Sequence, residues 1–288
     1  MEHQKKILVT GANGQLGMEF RQLAPLFPEY LFLFLSKAEI AIDDDDKLRA
    51  FFEKNIIDVC INCAAYTAVD KSETDKEQAI AINVTAVANM AAICKQYSAR
   101  FIHFSTDYVF NGNAEKPYRE SDVTDPVNFY GQTKLEGEQA AIKNNEDVII
   151  IRTSWVYSRF GKNFVKTMMR LMAEKDSIGV VTDQRGCPTY AADLAEAVMQ
   201  VIKSNSDAAG IYHYCNEGII SWFEFATAIK EIMGSSCTVH PLATSDYPTP
   251  AKRPAYSALD TRKIKETWQI AIPGWRTSLE SCIKEYIN

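Results

Sequence analysis

The sequence predicts a doubly wound α/β fold, a parallel sheet with helices on both faces, followed by a smaller α/β lobe. Three observations point to it. Short, nearly continuous apolar runs alternate with longer amphipathic stretches through the first half, which is how strands buried on both faces read. The first of these runs, ILVT, passes into a glycine-rich turn, GANGQLG, where a strand must bend back into a helix. At 288 residues with 47% hydrophobic side chains, the chain can bury a core large enough for such a sheet.

Taken in order, KILVT is the first strand, and a helix follows from Gly14. YLFLFL (30–35) is the second strand and leads to a helix near 46–54; DVCINC is the third and leads to a long helix around 74–97. RFIHFS, a helix through Tyr130 and VIIIRTSW continue the alternation. The second half is less regular: a helix near 162–174, the strand IGVVT, a helix over 191–203, the strand IYHYC, a helix from Trp222 and a Pro-rich stretch at 241–254. No repeat or low-complexity linker separates the halves. The boundary is expected near residue 158, giving units of 1–158 and 159–288, with segments near 190–216 free to return to the first.

Composition excludes several classes of function. The longest purely apolar runs, such as YLFLFL, fall far short of the roughly 18 residues that span a bilayer. MEHQKK runs straight into a strand with no apolar leader, so a cytoplasmic protein is expected. A net charge of −6 without a basic stripe argues against nucleic acid as a partner. The acidic run Asp43 to Asp46 reads as a solvated loop and helix start. Seven cysteines scattered through apolar contexts fit reduced, buried thiols; Cys60 and Cys63 form a lone CxxC with no second pair. His3, His103, His213 and His240 show no ligand spacing either, so no essential metal is expected.

The turn after the first strand carries Gly11, Gly14 and Gly17. One glycine lets the backbone bend, a second lets phosphates approach, and the helix N-terminus supplies free N–H groups and a favourable dipole. Its position on the first strand-to-helix turn makes it a dinucleotide site. The second strand ends in Ser36 and Lys37, not in a ribose-binding acid. A hydroxyl and a cation there favour the 2′-phosphate of NADPH, with NADH also possible.

The stretch FYGQTKLEGE sets Tyr130 and Lys134 one helical turn apart, so they share a face. Spacing alone describes a solvated helix face. Strand HFSTDYVF, however, ends where ligands bind in open α/β sheets, which brings Thr106 to Tyr130 and Lys134. Hydride transfer to a ketone leaves charge on the carbonyl oxygen, and that oxygen needs a proton donor and a hydrogen-bond donor beside it. Tyr130 and Thr106 can supply them. Lys134 is expected to lower the phenol's pKa from about 10 and to bind the nicotinamide ribose.

These segments together resemble the extended short-chain dehydrogenase/reductase family, over essentially the whole chain. VTGANGQLG, NCAAYTAVDKSE, STDYVFNG, YGQTKLEGE, RTSWVY, DQRGCPT and YPTPAKRPAYSALD carry the resemblance, and the last four narrow it to reductases of nucleotide-linked 4-keto-6-deoxy sugars. The resemblance implies an NAD(P)-binding Rossmann-type domain over 1–158, a mainly substrate-binding lobe over 159–288 and a nucleotide-sugar substrate. It places Gly14, Gln15 and Leu16 at the pyrophosphate and has Ala65, Tyr66 and Thr67 line the cofactor. Val69, Thr106, Asp107, Tyr130 and Trp155 would surround the sugar. Asn163, Gln184 and Arg253 would meet the nucleotide half, although they also read as a helix cap, a loop amide and a surface charge. Two departures stand out. Ala41 replaces the acid usual in this family, leaving Ile42 or Asp43 for the adenine contact. The acidic cluster with which some members hold magnesium at a dimer interface is not evident, so monomer and homodimer stay open. A 4,6-dehydratase or epimerase is the alternative enzyme, but Tyr108 stands where a dehydratase needs glutamate. A non-catalytic regulatory subunit, like the partner of methionine adenosyltransferase, is the alternative outside catalysis.

Overall fold

The structure, a computed structural model, describes residues 4–204 and 206–287; His3 lies outside them. Five strands of the first half, β1 (Lys5–Thr10), β2 (Tyr30–Leu35), β3 (Val59–Asn62), β4 (Arg100–Thr106) and β5 (Ile149–Thr153), join the strand Gly210–His213 in one six-stranded sheet. Every pairing in it is parallel, and the order is β2-β1-β3-β4-β5 followed by Gly210–His213. The helices are α1 (Gln15–Leu23), α2 (Asp45–Lys54), α3 (Val69–Ser72), α4 (Lys76–Ile80), α5 (Ala86–Gln96), α6 (Phe129–Asn144), α7 (Phe164–Glu174), α8 (Ala191–Lys203), α9 (Trp222–Met233), α10 (Arg262–Trp268) and α11 (Trp275–Ile287).

Side chains alternate across each strand, and both faces are covered. Ile7, Val9, Ile61 and Ile149 pack with Phe20 of α1, with Leu194 and Val198 of α8 and with Ile264 of α10. Leu8, Cys60, Phe101 and Ile150 face the other way, against Leu48 and Phe52 of α2, Met90 and Cys94 of α5, and Ala141 of α6. This explains why the strands read as unbroken apolar runs. The remaining elements form a separate cluster, in which Met168 and Met172 of α7, Phe225 and Ile229 of α9 and Leu279 of α11 cover the parallel pair Ser177–Val181 and Thr238–Leu242.

Chain order and space diverge in the second half. Helix α8 and the strand Gly210–His213 complete the main sheet, and α10 packs on the same face. The helix expected around 74–97 runs from Lys76 to Gln96, with one π turn over Ala81–Thr85. That run is long and apolar enough to cross a membrane, yet α5 packs on the sheet and against α6.

The sheet order reverses direction between β1 and β3. A crevice opens there at the carboxyl ends of the strands, the place where parallel α/β sheets take ligands.

Candidate active site

The crevice starts at Gly11, which leaves β1 with φ +64°. A Cβ there would lie 2.6 Å from the Ala64 nitrogen, so a side chain is excluded on both conformational and steric grounds. Gly14 N–H donates to the Gly11 carbonyl (2.9 Å), and a Cβ on Gly17 would fall 2.5 Å from that same oxygen, so α1 starts pressed against the turn. No side chain caps α1. The N–H groups of its first turn therefore face the crevice, ready for an anion. A cavity of about 870 Å³ follows, walled by Gly11, Gly14, Gln15 and Leu16, by Lys37, Ala41, Ile42 and Asp43, by Ala65, Tyr66 and Thr67, and by Ser105, Tyr130 and Lys134.

The loop after β3 is held from below by Asn83, a fully buried residue in the π turn. Its amide accepts from Tyr66 N–H (2.9 Å) and donates to the Tyr66 carbonyl and to Thr133 Oγ1 (both 3.1 Å), tying this loop to α6. A π turn is often found at functional sites.

Helix α6 is fixed at its N-terminal end. Asn128 caps it, accepting from Gly131 N–H (2.8 Å), while its own amide donates to the Lys252 carbonyl (2.7 Å). A Cβ on Gly131 would sit 2.2 Å from the Tyr108 carbonyl, so the helix rests directly on the loop after β4. Tyr130, Lys134 and Glu138 then line one face at successive turns. Tyr130 packs edge-on to Tyr108, with centroids 5.9 Å apart, and its phenol lies near the Thr106 hydroxyl. Thr106 ends β4, accepts from Tyr108 N–H (3.2 Å) and donates to Asp107 Oδ1 (3.0 Å).

Burial dominates the electrostatics here. It pushes the Tyr130 phenol up to about 12, with the Thr106 hydroxyl pulling the other way and the Asp107 charge adding to the rise. The lysine does not lower it. Lys134 is buried, its Nζ donates to the Phe104 carbonyl (2.7 Å) and lies 3.3 Å from His103 Nε2, and burial brings it down to about 8 against the raising effect of Glu138. Burial makes both groups costly to charge, so the phenol stays protonated. Burial likewise lifts the Asp107 carboxyl to about 7, and its Oδ2 meets no hydrogen-bond partner at close range.

A family model described as the RmlD substrate binding domain matches residues 5–288. The chain belongs to that family. The RmlD-family chain is 43% identical over 281 residues to the spore coat polysaccharide biosynthesis protein SpsK of Bacillus subtilis, covering 97% of each. It superposes on the crystal structure of a dTDP-4-dehydrorhamnose reductase of Clostridium acetobutylicum with a TM-score of 0.93 at 39% identity, covering 98% of this chain and 100% of the other. For the Bacillus anthracis dTDP-4-dehydrorhamnose reductase in complex with NADP the values are 0.94 and 35%, with the same coverage.

Several expected contacts differ in the RmlD-family chain. Ser36 is buried and its N–H and hydroxyl both donate to Glu39 (2.8 Å each), so it is not open to a phosphate; Lys37 is the residue that reaches the cavity. Asn163 caps α7, and its amide donates to Gln15 Oε1 (2.8 Å) and the Ser158 carbonyl (2.6 Å), which makes it a brace for the glycine-rich turn and leaves it no free donor for a nucleotide. Gln184 is turned onto Thr244 (3.1 Å). The Arg253 fork is closed on Asp70, with Nη2 to Oδ2 at 2.8 Å, beside Val69 at the start of α3. Trp155 adopts φ +47° and stacks on Trp222 at 3.5 Å. A non-glycine residue held in that region marks a position the surroundings over-determine, as at ligand clamps.

Folding also brings Glu19 of α1, Asp193 of α8 and Glu285 of α11 into electrostatic range of one another, a convergence no sequence run signals. Each is engaged: Glu19 by Ser158 (2.6 Å), Asp193 by Asn216 (2.6 Å), Glu285 by Tyr190 (3.1 Å). Among the described residues no group of three or more His, Cys, Asp or Glu could hold a metal ion.

Proposed function

We propose that this chain uses NADPH to reduce the 4-keto group of dTDP-4-dehydro-L-rhamnose, giving dTDP-L-rhamnose. The observation that carries the reading is the meeting of Thr106, a protonated Tyr130 and Lys134 at the carboxyl edge of the sheet, against a cavity that opens on a glycine cradle. That cradle fits a dinucleotide: Gly11 and Gly17 have no room for a side chain, and the uncapped start of α1 suits a pyrophosphate. NADPH supplies the hydride. The chain's own part is to stabilise and protonate the oxygen that receives negative charge. Tyr130 gives its phenolic proton to that oxygen, and the Thr106 hydroxyl, turning its single proton from Asp107 Oδ1, donates a hydrogen bond to it, so charge is met as it develops. Lys134 reaches the nicotinamide ribose, and Asp107 holds the Thr106 hydroxyl until the substrate oxygen takes its place.

Further along the cavity, Lys37 is the cation for a 2′-phosphate, and Ile42 and Asp43 border the adenine; the NADP complex of the Bacillus anthracis relative supports this cofactor. On the other side, Val69 and Trp155 flank the sugar. Arg253 meets a diphosphate only by opening its fork on Asp70. The partner is thus a small nucleotide sugar, with neither nucleic acid nor membrane, and the protein works in the cytoplasm as a monomer or homodimer. The dimensions 1–158 for the cofactor unit and 159–288 for the substrate lobe apply with α8, Gly210–His213 and α10 returned to the sheet.

Tyr108 decides against the dehydratase. Its phenol is buried beside Tyr130 and burial drives its pKa further up, so it cannot serve as the base that removes a sugar proton. Incubation with dTDP-glucose and NAD should yield no 4-keto-6-deoxy product, whereas dTDP-4-dehydro-L-rhamnose and NADPH should yield dTDP-L-rhamnose. Mass spectrometry separates the two, and a keto product from dTDP-glucose would overturn the assignment.

A further inference from the structure

His103 lies on β4, almost fully buried and stacked on Phe101 with centroids 6.0 Å apart. Its Nδ1 is 3.1 Å from Asn62 Nδ2, and its Nε2 is 3.3 Å from Lys134 Nζ. The Asn62 amide cannot turn over, because its Oδ1 accepts from the Ala64 backbone N–H (3.1 Å) as well as from Thr10 Oγ1 (2.8 Å). Its NH₂ group therefore faces the ring, and Nδ1 must accept. A neutral imidazole then carries its single proton on Nε2, aimed at Lys134. An ammonium has only donors to offer that proton; a neutral amine has a lone pair. With Lys134 as an amine every group is satisfied, since the nitrogen accepts from His103 and still donates to the Phe104 carbonyl (2.7 Å).

The charges around this pair leave that balance in place. Glu138, one turn beyond Lys134, has both carboxylate oxygens taken by Arg152 of β5, at 2.9 and 2.7 Å. Tyr130, one turn before, is a neutral phenol. Asp107 lies on the far side of Thr106, and Cys63 after β3 is held as a thiol by burial. Neither offers Lys134 a counter-charge. Burial, and then the nearness of Lys134, keeps His103 well below the ordinary histidine range, and burial lowers Lys134 as well.

We propose that His103 is a positioning residue that sets the charge of Lys134: in the cofactor-free protein its Nε2–H holds the lysine as a neutral amine, and binding of the dinucleotide is coupled to uptake of one solvent proton by Lys134 Nζ. This rests on the reading that Lys134 binds the nicotinamide ribose, whose hydroxyl oxygens give an ammonium the acceptors it lacks beforehand.

The test is the affinity of the intact protein for NADPH as a function of pH, from about 7 to about 9.5, by tryptophan fluorescence or calorimetry. Affinity should weaken with rising pH through the Lys134 midpoint, and calorimetry in buffers of different ionisation heat should show proton uptake on binding. His103→Phe keeps the ring and its stack on Phe101 but removes Nε2–H, so the midpoint should rise by about one unit. Relative to its own value at about pH 7, the variant should then hold NADPH about tenfold more tightly than the parent at about pH 9.5. His103→Gln, whose amide can rotate to accept from an ammonium, should move the midpoint the same way and serves if the phenylalanine variant does not fold. A purely structural role for His103 changes affinity by one factor at all pH values; that result, or a midpoint that stays or falls, overturns the proposal. If the parent protein binds NADPH at no pH, the cofactor reading itself fails and takes the proposal with it.

Discussion

Tyr130→Phe should lower the turnover number by about 10²–10⁴-fold while leaving the fold and NADPH affinity in place. The substitution keeps the ring that packs edge-on to Tyr108 and removes only the proton donor. Lys134→Ala should behave differently: it deletes a ribose contact and a buried group hydrogen-bonded to the Phe104 carbonyl, so NADPH affinity and turnover should fall together. Steady-state kinetics paired with cofactor titration distinguishes the two patterns. Equal loss of cofactor affinity in both variants would mean that Tyr130 binds rather than reacts.

Arg152→Met should be the most damaging change to stability. Arg152 and Glu138 are both almost fully buried, and the guanidinium grips the carboxylate through Nε (2.9 Å) and Nη2 (2.7 Å). Removing one partner strands a buried charge, at a cost of about 3–5 kcal/mol. For a chain of this length that corresponds to a melting temperature lower by on the order of 10 °C. The double variant Arg152→Met with Glu138→Leu should recover part of the loss, because an apolar pair of similar volume avoids the desolvation penalty. Calorimetry reads both. A single variant that melts with the parent would show that the pair does not anchor α6, and that the alignment of Tyr130 and Lys134 on this helix is secured by other contacts, those of Asn128, Gly131 and Asn83 among them.

Local signals account for what the sequence made legible. Strands buried on both faces are continuous apolar runs, the glycine cradle is seven consecutive residues, and Tyr130 and Lys134 are one helical turn apart; each of these is written within a short window. The expectation that Ala65 to Thr67 line a cofactor came from a family pattern rather than from the chain's own chemistry; the structure puts these residues in the cavity wall. What stayed hidden depends on partners far apart in sequence. Arg253 closes on a carboxylate 183 residues away, and Asn163 braces a glutamine 148 residues away. Neither pairing leaves a trace in spacing or composition. His103 read as a histidine without ligand spacing because its partners, Asn62 and Lys134, are 41 and 31 residues off on other elements. Ser36 is turned from the cavity for a local reason: Glu39, three residues on, captures its hydroxyl in a turn. The expectation that Lys134 would acidify Tyr130 considered charge proximity and left out burial, which here outweighs it for both groups.

The most direct measurement is transfer of label from NADPH carrying deuterium at nicotinamide C4 to dTDP-4-dehydro-L-rhamnose, followed by mass spectrometry of the sugar. The expected product is dTDP-L-rhamnose with one deuterium at C4 when the label is on the transferred face, formed by the parent protein and made at least about a hundredfold more slowly by Tyr130→Phe. Folded protein that binds NADPH yet returns the sugar unreduced and unlabelled would contradict the catalytic reading and leave a binding role in its place.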